Sequence, residues 1–442
     1  MTTPAAGRVA RLRASLRDPL IRNSALMLVT TLSMALVGAV FWVVAARVAS
    51  RGEVGLASSL VATTEALAIF AQLGLNVSLL RSMPRSDRPG SDTAVATVVV
   101  GLAAAVLAVA YAALLPAVAP DLADVVSWPV AVPLFAVFVA GTALNQLTDG
   151  VFLAIDRVVD NFVVNGVLLS IVRFVLPFTL AGAGAFAIFG AIGGSALLAA
   201  VVSLAVILRR LRRTHGRARL RPSAAFTGSI RLAGAGYLSN VLYIAPQLVF
   251  PVLIINARGP ADSALFFIAF QIVTLLNHGV YMISNSMYAE VSRAPDRGEA
   301  IVAKAGRTIA AASAAGIVVL VLAAPLVLLV FGGGYSDGGT TTLRVLALGT
   351  VGVAFNYWSA VRLRIAHHLR AMVVVQLFTT ALMIALAAVA AAHGIAWVAA
   401  AWGAGQLAGG VVGYTVSRTI APMADGLADM SADQLPPMEA VP

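Results

Sequence analysis

Arg173 and Glu65 are charged side chains set inside long apolar stretches, about twelve and about ten residues from where those stretches begin. At helical rise this puts Arg173 roughly 18 Å deep, near the middle of a bilayer if the stretch crosses one. A guanidinium at that depth costs at least about 2.5–3.5 kcal/mol unless an anion or water meets it. Two chemistries would meet that need. One is an internal ion pair with Glu65 or Asp149; the other is attraction of a phosphate-bearing ligand, to which the planar guanidinium is suited. Glu65 could instead take up a proton or coordinate a cation, because a low-dielectric passage disfavours its charged form. Such a group would couple the movement of a cargo to an ion gradient.

Uncharged polar residues recur at helical spacing around these two charges. Gln271, Thr274, His278, Tyr281, Asn285 and Tyr288 follow one another at three and four residues and share one helix stripe. Shorter stripes run through Ser58, Glu65, Gln72 and Asn76, through Thr142, Asn145, Asp149 and Asp156, and through Asn240, Tyr243 and Gln247. Each residue could be a helix-to-helix packing contact, worth about 0.6–2 kcal/mol. Four aligned stripes favour a hydrated passage instead. The predicted ligand-facing residues are therefore Arg173, Asn145, Asp149, Gln247, Gln271, His278, Tyr281 and Asn285, with Glu65 as the ion-coupling group. A lone His on a polar stripe is more often a hydrogen-bonding residue than a proton relay.

The elements that must position them are twelve apolar spans, at 24–46, 55–80, 93–115, 129–154, 161–182, 185–208, 234–256, 263–288, 308–331, 341–361, 371–391 and 395–416. Most reach the ~20 residues needed to cross about 30 Å of hydrocarbon. With an inner N-terminus, 25 of the 30 basic residues fall on the inner side, Arg47, Arg51, Arg258 and Arg344 fall outside, and Arg173 lies within a span. By the positive-inside rule both termini are cytoplasmic. A chain that is 60% hydrophobic and 11% charged, with a mean hydropathy of +0.93, has too little polar surface for a soluble protein. The first span is too long for a secretory signal core and is expected to be retained as a helix.

The net charge of +11 suggests an acidic partner. The arginines sit in short loops beside apolar spans, so anionic membrane lipids account for them, and no basic-aromatic module for nucleic acid is present. Without a Cys, disulfide and thiolate chemistry are excluded. There is no phosphate-binding glycine loop for ATP and no metal-ligand spacing; His367-His368 lies in a basic loop, and Gly332-Gly333-Gly334 reads as a turn. The longest outer loop, near Pro116–Trp128, offers only Asp121 and Asp124, which disfavours an enzyme. No cofactor is expected.

The predicted organisation is a basic cytoplasmic segment 1–23, a six-helix lobe 24–208, a basic linker 209–233, a second six-helix lobe 234–416 and a disordered cytoplasmic tail 417–442. Within the linker, Phe226 and Ile230 suggest a short amphipathic run along the interface before span seven. Weak internal similarity at an offset near 207 residues, such as Arg51-Gly52 against Arg258-Gly259, implies parallel repeats. The expected fold class is all-α and polytopic, two lobes related by a pseudo-two-fold along the membrane normal and enclosing a cavity.

Three local patterns carry a resemblance: Ala46-Arg47-Val48-Ala49-Ser50-Arg51-Gly52-Glu53-Val54-Gly55 with Leu73-Gly74-Leu75-Asn76; Phe331-Gly332 with Tyr335; and Leu343-Arg344-Val345-Leu346-Ala347-Leu348-Gly349. In these, residues 20–416 resemble the Wzx-type polysaccharide repeat-unit flippases of the multidrug/oligosaccharidyl-lipid/polysaccharide exporter superfamily. The resemblance implies transfer of a polyprenyl-(pyro)phosphate-linked oligosaccharide from the inner to the outer leaflet of the cell membrane by alternating access. It also implies a polysaccharide polymerase and glycosyltransferases as partners in cell-surface polysaccharide assembly. The alternatives are a drug or cation antiporter of the same superfamily, a flippase for the peptidoglycan lipid precursor, and a membrane scaffold that transports nothing.

Overall fold

Among the described residues the predicted spans fall largely on helix, and there is no strand. The computed structural model describes residues 19–127, 129–179, 184–366, 368–419 and Leu427. The helices are α1 Pro19–Val48, α2 Arg51–Ala71, α3 Leu75–Ser82, α4 Pro89–Val118, α5 Pro120–Val126, α6 Ala131–Ala154 and α7 Val158–Asn161. After a π-helical turn, Phe162–Leu168, come α8 Leu169–Thr179, α9 Gly184–His215, α10 Ala224–Arg258, α11 Pro260–Arg293, α12 Gly298–Leu329, α13 Gly333–Ile365, α14 Leu369–Ala390 and α15 Ile395–Thr419. Ten helical runs are long and apolar enough to cross a membrane, and α1 adds the shorter apolar stretch Ser33–Val48. The chain is a multi-pass helical membrane protein. The predicted basic segment falls outside the described residues up to residue 18, as does most of the predicted tail after Thr419.

The chain divides into two compact units, Met1–Ala49 with Thr63–Gly234 and Ser50–Ala62 with Ala235–Pro442. In the first, α6 packs against α9 and α4. Phe189 is its centre: the rings of Phe135, Phe138 and Phe186 lie 5.7, 5.6 and 5.6 Å from it. In the second, α13 packs on α11, α12 and α15. The α13–α15 crossing depends on small residues, since a Cβ on Gly352 would sit 2.6 Å from the Gly403 carbonyl oxygen. Lipid supplies no hydrophobic drive between helices, so close backbone approach is what gives such a crossing its dispersion energy.

Prolines inside helices leave carbonyls without a partner, and side chains from other helices supply it. Pro246 of α10 cannot bond the carbonyl of Leu242, and Thr380 of α14 donates its hydroxyl there at 2.8 Å. Pro325 of α12 likewise frees the carbonyl of Val321, which accepts from Arg344 Nε at 3.1 Å. Unsatisfied carbonyls cost several kcal/mol in hydrocarbon, so these bonds let the proline-containing helices persist there.

Three expectations about continuity are corrected. Span two is not one helix: it breaks between α2 and α3, where Leu73 and Gly74 take φ of 48° and 76°. Gln72, at the break, donates Nε2 to the Ala143 carbonyl of α6 at 2.7 Å, tying the interruption to protein rather than lipid. The run holding Phe226 and Ile230 is not a separate surface helix but the first turns of α10, with Phe226 buried. Span six extends past residue 208 to His215, and within the extension Arg210 pairs with Asp160 at 3.0 Å.

The remainder of the linker is pinned by Asp92, a fully buried carboxylate in the first turn of α4. It accepts from Ser223 N at 2.6 Å, Ser223 Oγ at 2.7 Å and Ser86 Oγ at 2.5 Å. Ser223 also caps α10 by accepting from Phe226 N at 3.1 Å, and Arg219 N donates to Ser91 Oγ at 3.0 Å. Hydrogen bonds to a buried charge are worth about 1.5–3 kcal/mol. Asp92→Ala therefore frees the basic linker, and limited trypsinolysis at Arg217, Arg219 and Arg221 should speed up roughly 10-fold or more. Equal cleavage rates would show that other contacts hold the linker.

Candidate functional site

In the first unit the two deep charges act on each other electrostatically, yet they do not form an ion pair at contact distance. Arg173 is half-buried on α8 and donates Nε to Ser195 Oγ of α9 at 3.1 Å. Ser195 is buried and in turn donates to the Ile192 carbonyl at 2.7 Å, so the hydroxyl's lone pair is aimed at the guanidinium. Glu65 on α2 is accessible to solvent although protein surrounds it. A carboxyl mid-helix either meets water or an ion in its charged form or takes up a proton.

Asp149 does not meet Arg173 at ion-pair distance either. Its Oδ1 accepts from Asn165 Nδ2 at 2.6 Å, and Asn165 also donates to Asn161 Oδ1 at 2.6 Å. Asn165 sits in the π-helical turn just before Arg173's helix, a deviation found often at functional sites. The Oδ1 atoms of Asn165 and of the neighbouring predicted residue Asn145 are buried without a hydrogen-bond partner. These orphaned oxygens and the Asp149 carboxylate form an oxygen-rich polar group inside the unit. Asn161, Asn165 and Ser195 were not singled out by sequence. The Asn161/Asn165 pair at i and i+4 was a readable signal, whereas Ser195 is one small hydroxyl in an Ala- and Gly-rich helix.

In the second unit the α11 stripe keeps the shared face that its spacing predicts. Gln271, His278 and Tyr281 are exposed, and Asn285 and Tyr288 are half-buried. His278 Nδ1 and Thr274 Oγ1 turn back to the carbonyls of Thr274 and Phe270, each at 2.8 Å. Tyr281 lies 5.6 Å from the ring of Tyr357 on α13, and Tyr243 of α10 lies 6.2 Å from it, joined hydroxyl to hydroxyl. Gln247 is half-buried on α10, and the side chain of Asn240 lies outside the described residues. Tyr357 was missed because nothing in the local sequence of α13 marks which face meets α10 and α11.

These are two helical units, each presenting polar groups within membrane-crossing helices. No family model matches the chain, and no curated protein does. Solved structures do match it. An inward-facing conformation of a multidrug resistance MATE family transporter of the MOP superfamily superposes with a TM-score of 0.65 at 18% identity, over 91% of this chain and 96% of that one. An outward-facing conformation of such a transporter superposes at 0.60 with 15% identity, over 95% and 97%. A MOP superfamily transporter from Pyrococcus furiosus, described as having a binding pocket of reversed polarity, superposes at 0.61 with 17% identity, over 94% and 97%. The chain has the fold of MATE transporters of the MOP superfamily.

Proposed function

We propose that this chain is a transporter that moves a polyprenyl-(pyro)phosphate-linked oligosaccharide from the inner to the outer leaflet of the cell membrane by alternating access. The distribution of arginines supports a cytoplasmic side for both termini. The observation that carries the reading is Arg173: a guanidinium within a membrane-crossing helical run, bonded to Ser195 and without a carboxylate at contact distance among the described residues. Such a group is suited to a phosphate. In the second unit the exposed side chains of Gln271, His278 and Tyr281 suit sugar hydroxyls, while the polyprenyl chain can remain in lipid. Reconstitution in liposomes tests the proposal: a fluorescent polyprenyl-pyrophosphate-linked sugar changes leaflet with the protein and does not without it.

A second reading, a drug or cation antiporter, is favoured by one observation, the multidrug transporters among the structures sharing the fold. Drug or cation flux in the same liposomes, with no movement of the lipid-linked sugar, would decide for it. In either case Glu65 is the proposed coupling group, exposed at mid-helix beside a fixed cation. Glu65→Gln removes the titrating carboxylate, so the variant's rate should lose most of its dependence on an imposed pH or cation gradient. A profile identical to the parent's would leave Glu65 no coupling role.

A further inference from the structure

At the arginine-rich end of the second unit, α13 and α15 build a stack that neither the fold nor the transport reading requires. Phe355, Trp358 and Arg362 recur at three and four residues on one face of α13, and Tyr414 and Arg418 at four on α15. The rings of Phe355 and Trp358 stack at 6.0 Å, and those of Trp358 and Tyr414 at 5.6 Å. The Trp358 indole is fixed by donating to the Val302 carbonyl of α12 at 3.1 Å. Arg362 lies 5.1 Å from the Trp358 centroid and 5.5 Å from that of Tyr414, and Arg418 lies 5.2 Å from Tyr414.

Two guanidinium groups thus share one aromatic ring. Arg362 Nε donates to the buried Ser417 Oγ at 3.2 Å, which sets the plane of the guanidinium and leaves its Nη groups directed elsewhere. Among the described residues, neither Arg362 nor Arg418 has a carboxylate at ion-pair distance; Glu299 acts on Arg362 from farther away. Stacking on aromatic faces contributes about 0.5–2 kcal/mol and does nothing to relieve the repulsion between the two cations. An anion held between them would relieve it, and planar forks held by rings are pre-organised for the oxygens of a phosphate.

We propose that Arg362 and Arg418, held on the Trp358–Tyr414 stack, form a binding site for a phosphate group at this end of the second unit. The site is separate from Arg173 and does not rest on the transport reading. The phosphate can belong to a lipid headgroup or to a soluble phosphate, and both present the same oxygens.

The protein in nanodiscs of phosphatidylcholine is titrated with inorganic pyrophosphate, and in a second series phosphatidylglycerol is added to the nanodiscs. Tryptophan fluorescence is read, with Trp358→Phe assigning the signal to the stack. A saturable change with pyrophosphate supports a soluble phosphate, and one with phosphatidylglycerol that pyrophosphate cannot compete away supports a headgroup. In either case Arg362→Gln and Arg418→Gln should each weaken the apparent affinity at least 10-fold. Arg418 is exposed, so its variant reports binding even if Arg362→Gln fails to fold. No saturable change with either probe, or a change that both Gln variants retain at parental affinity, overturns the proposal.

Discussion

Arg173→Ala should lower the apparent affinity for the lipid-linked oligosaccharide by about 10- to 150-fold in reconstituted liposomes. The magnitude follows from losing charge-assisted hydrogen bonds to a phosphate, about 1.5–3 kcal/mol, with 1.4 kcal/mol for each factor of ten. Arg173→Lys keeps the charge but not the planar fork, and should fall between the two. Ser195→Ala should have a smaller effect of the same kind, since it removes the 3.1 Å bond that orients the guanidinium and leaves the charge in place. Transport and affinity that survive Arg173→Ala, in protein that still reaches the membrane, would remove the phosphate role. Arg173 would then serve only as the electrostatic partner of Glu65.

Gly55→Ala is expected to be the most damaging single-methyl change in the second unit. The α carbon of Gly55 faces the first turn of α11 so closely that a Cβ would overlap the Pro260 carbonyl and sit 3.2 Å from the Ala264 nitrogen. Both obstacles are backbone, so no rotamer can yield, and α2 and α11 would have to separate. Overpacking of this kind costs about 1–3 kcal/mol and more where the neighbour is rigid. The thermal midpoint in detergent should fall by about 1–3 °C, and by more where the backbone contact cannot relax. Gly52→Ala is the control within the same motif, since a Cβ there meets nothing nearer than Ser50 Oγ at 4.0 Å. Equal midpoints for the two variants would mean that the α2–α11 contact is looser than described.

That contrast explains part of what was legible. The Ser50-to-Gly55 run carried the family resemblance, and its physical content is now visible. Ser50 and Glu53 form a reciprocal cap, with Glu53 N donating to Ser50 Oγ at 3.2 Å and Ser50 N to Glu53 Oε2 at 2.8 Å. Gly55 is the close approach one turn later. The cap can be read from Ser-x-x-Glu spacing. The approach cannot, because its partner Pro260 lies some two hundred residues away in the chain.

The candidate site divides in the same way. The α11 stripe from Gln271 to Tyr288 keeps one face because helical periodicity acts within the chain, residue by residue. Asp149 was legible as a polar residue at that spacing, but its partners Asn161 and Asn165 depend on a π-helical turn that shifts the register of span five. The linker shows the limit most clearly. Its charge marks it as an interruption, yet Asp92, which pins it, is an ordinary first-turn acid until Ser223 is folded back onto it.

Sequence alone determined the class of solvent and the helical spans, because apolar length is a local quantity that the bilayer reads one segment at a time. Only the tertiary structure decided where helices break, which proline-freed carbonyls find donors, and which cations stand without a contacting carboxylate. Those outcomes depend on atoms brought within about 3 Å by packing between distant segments, a distance over which hydrogen bonds form or fail.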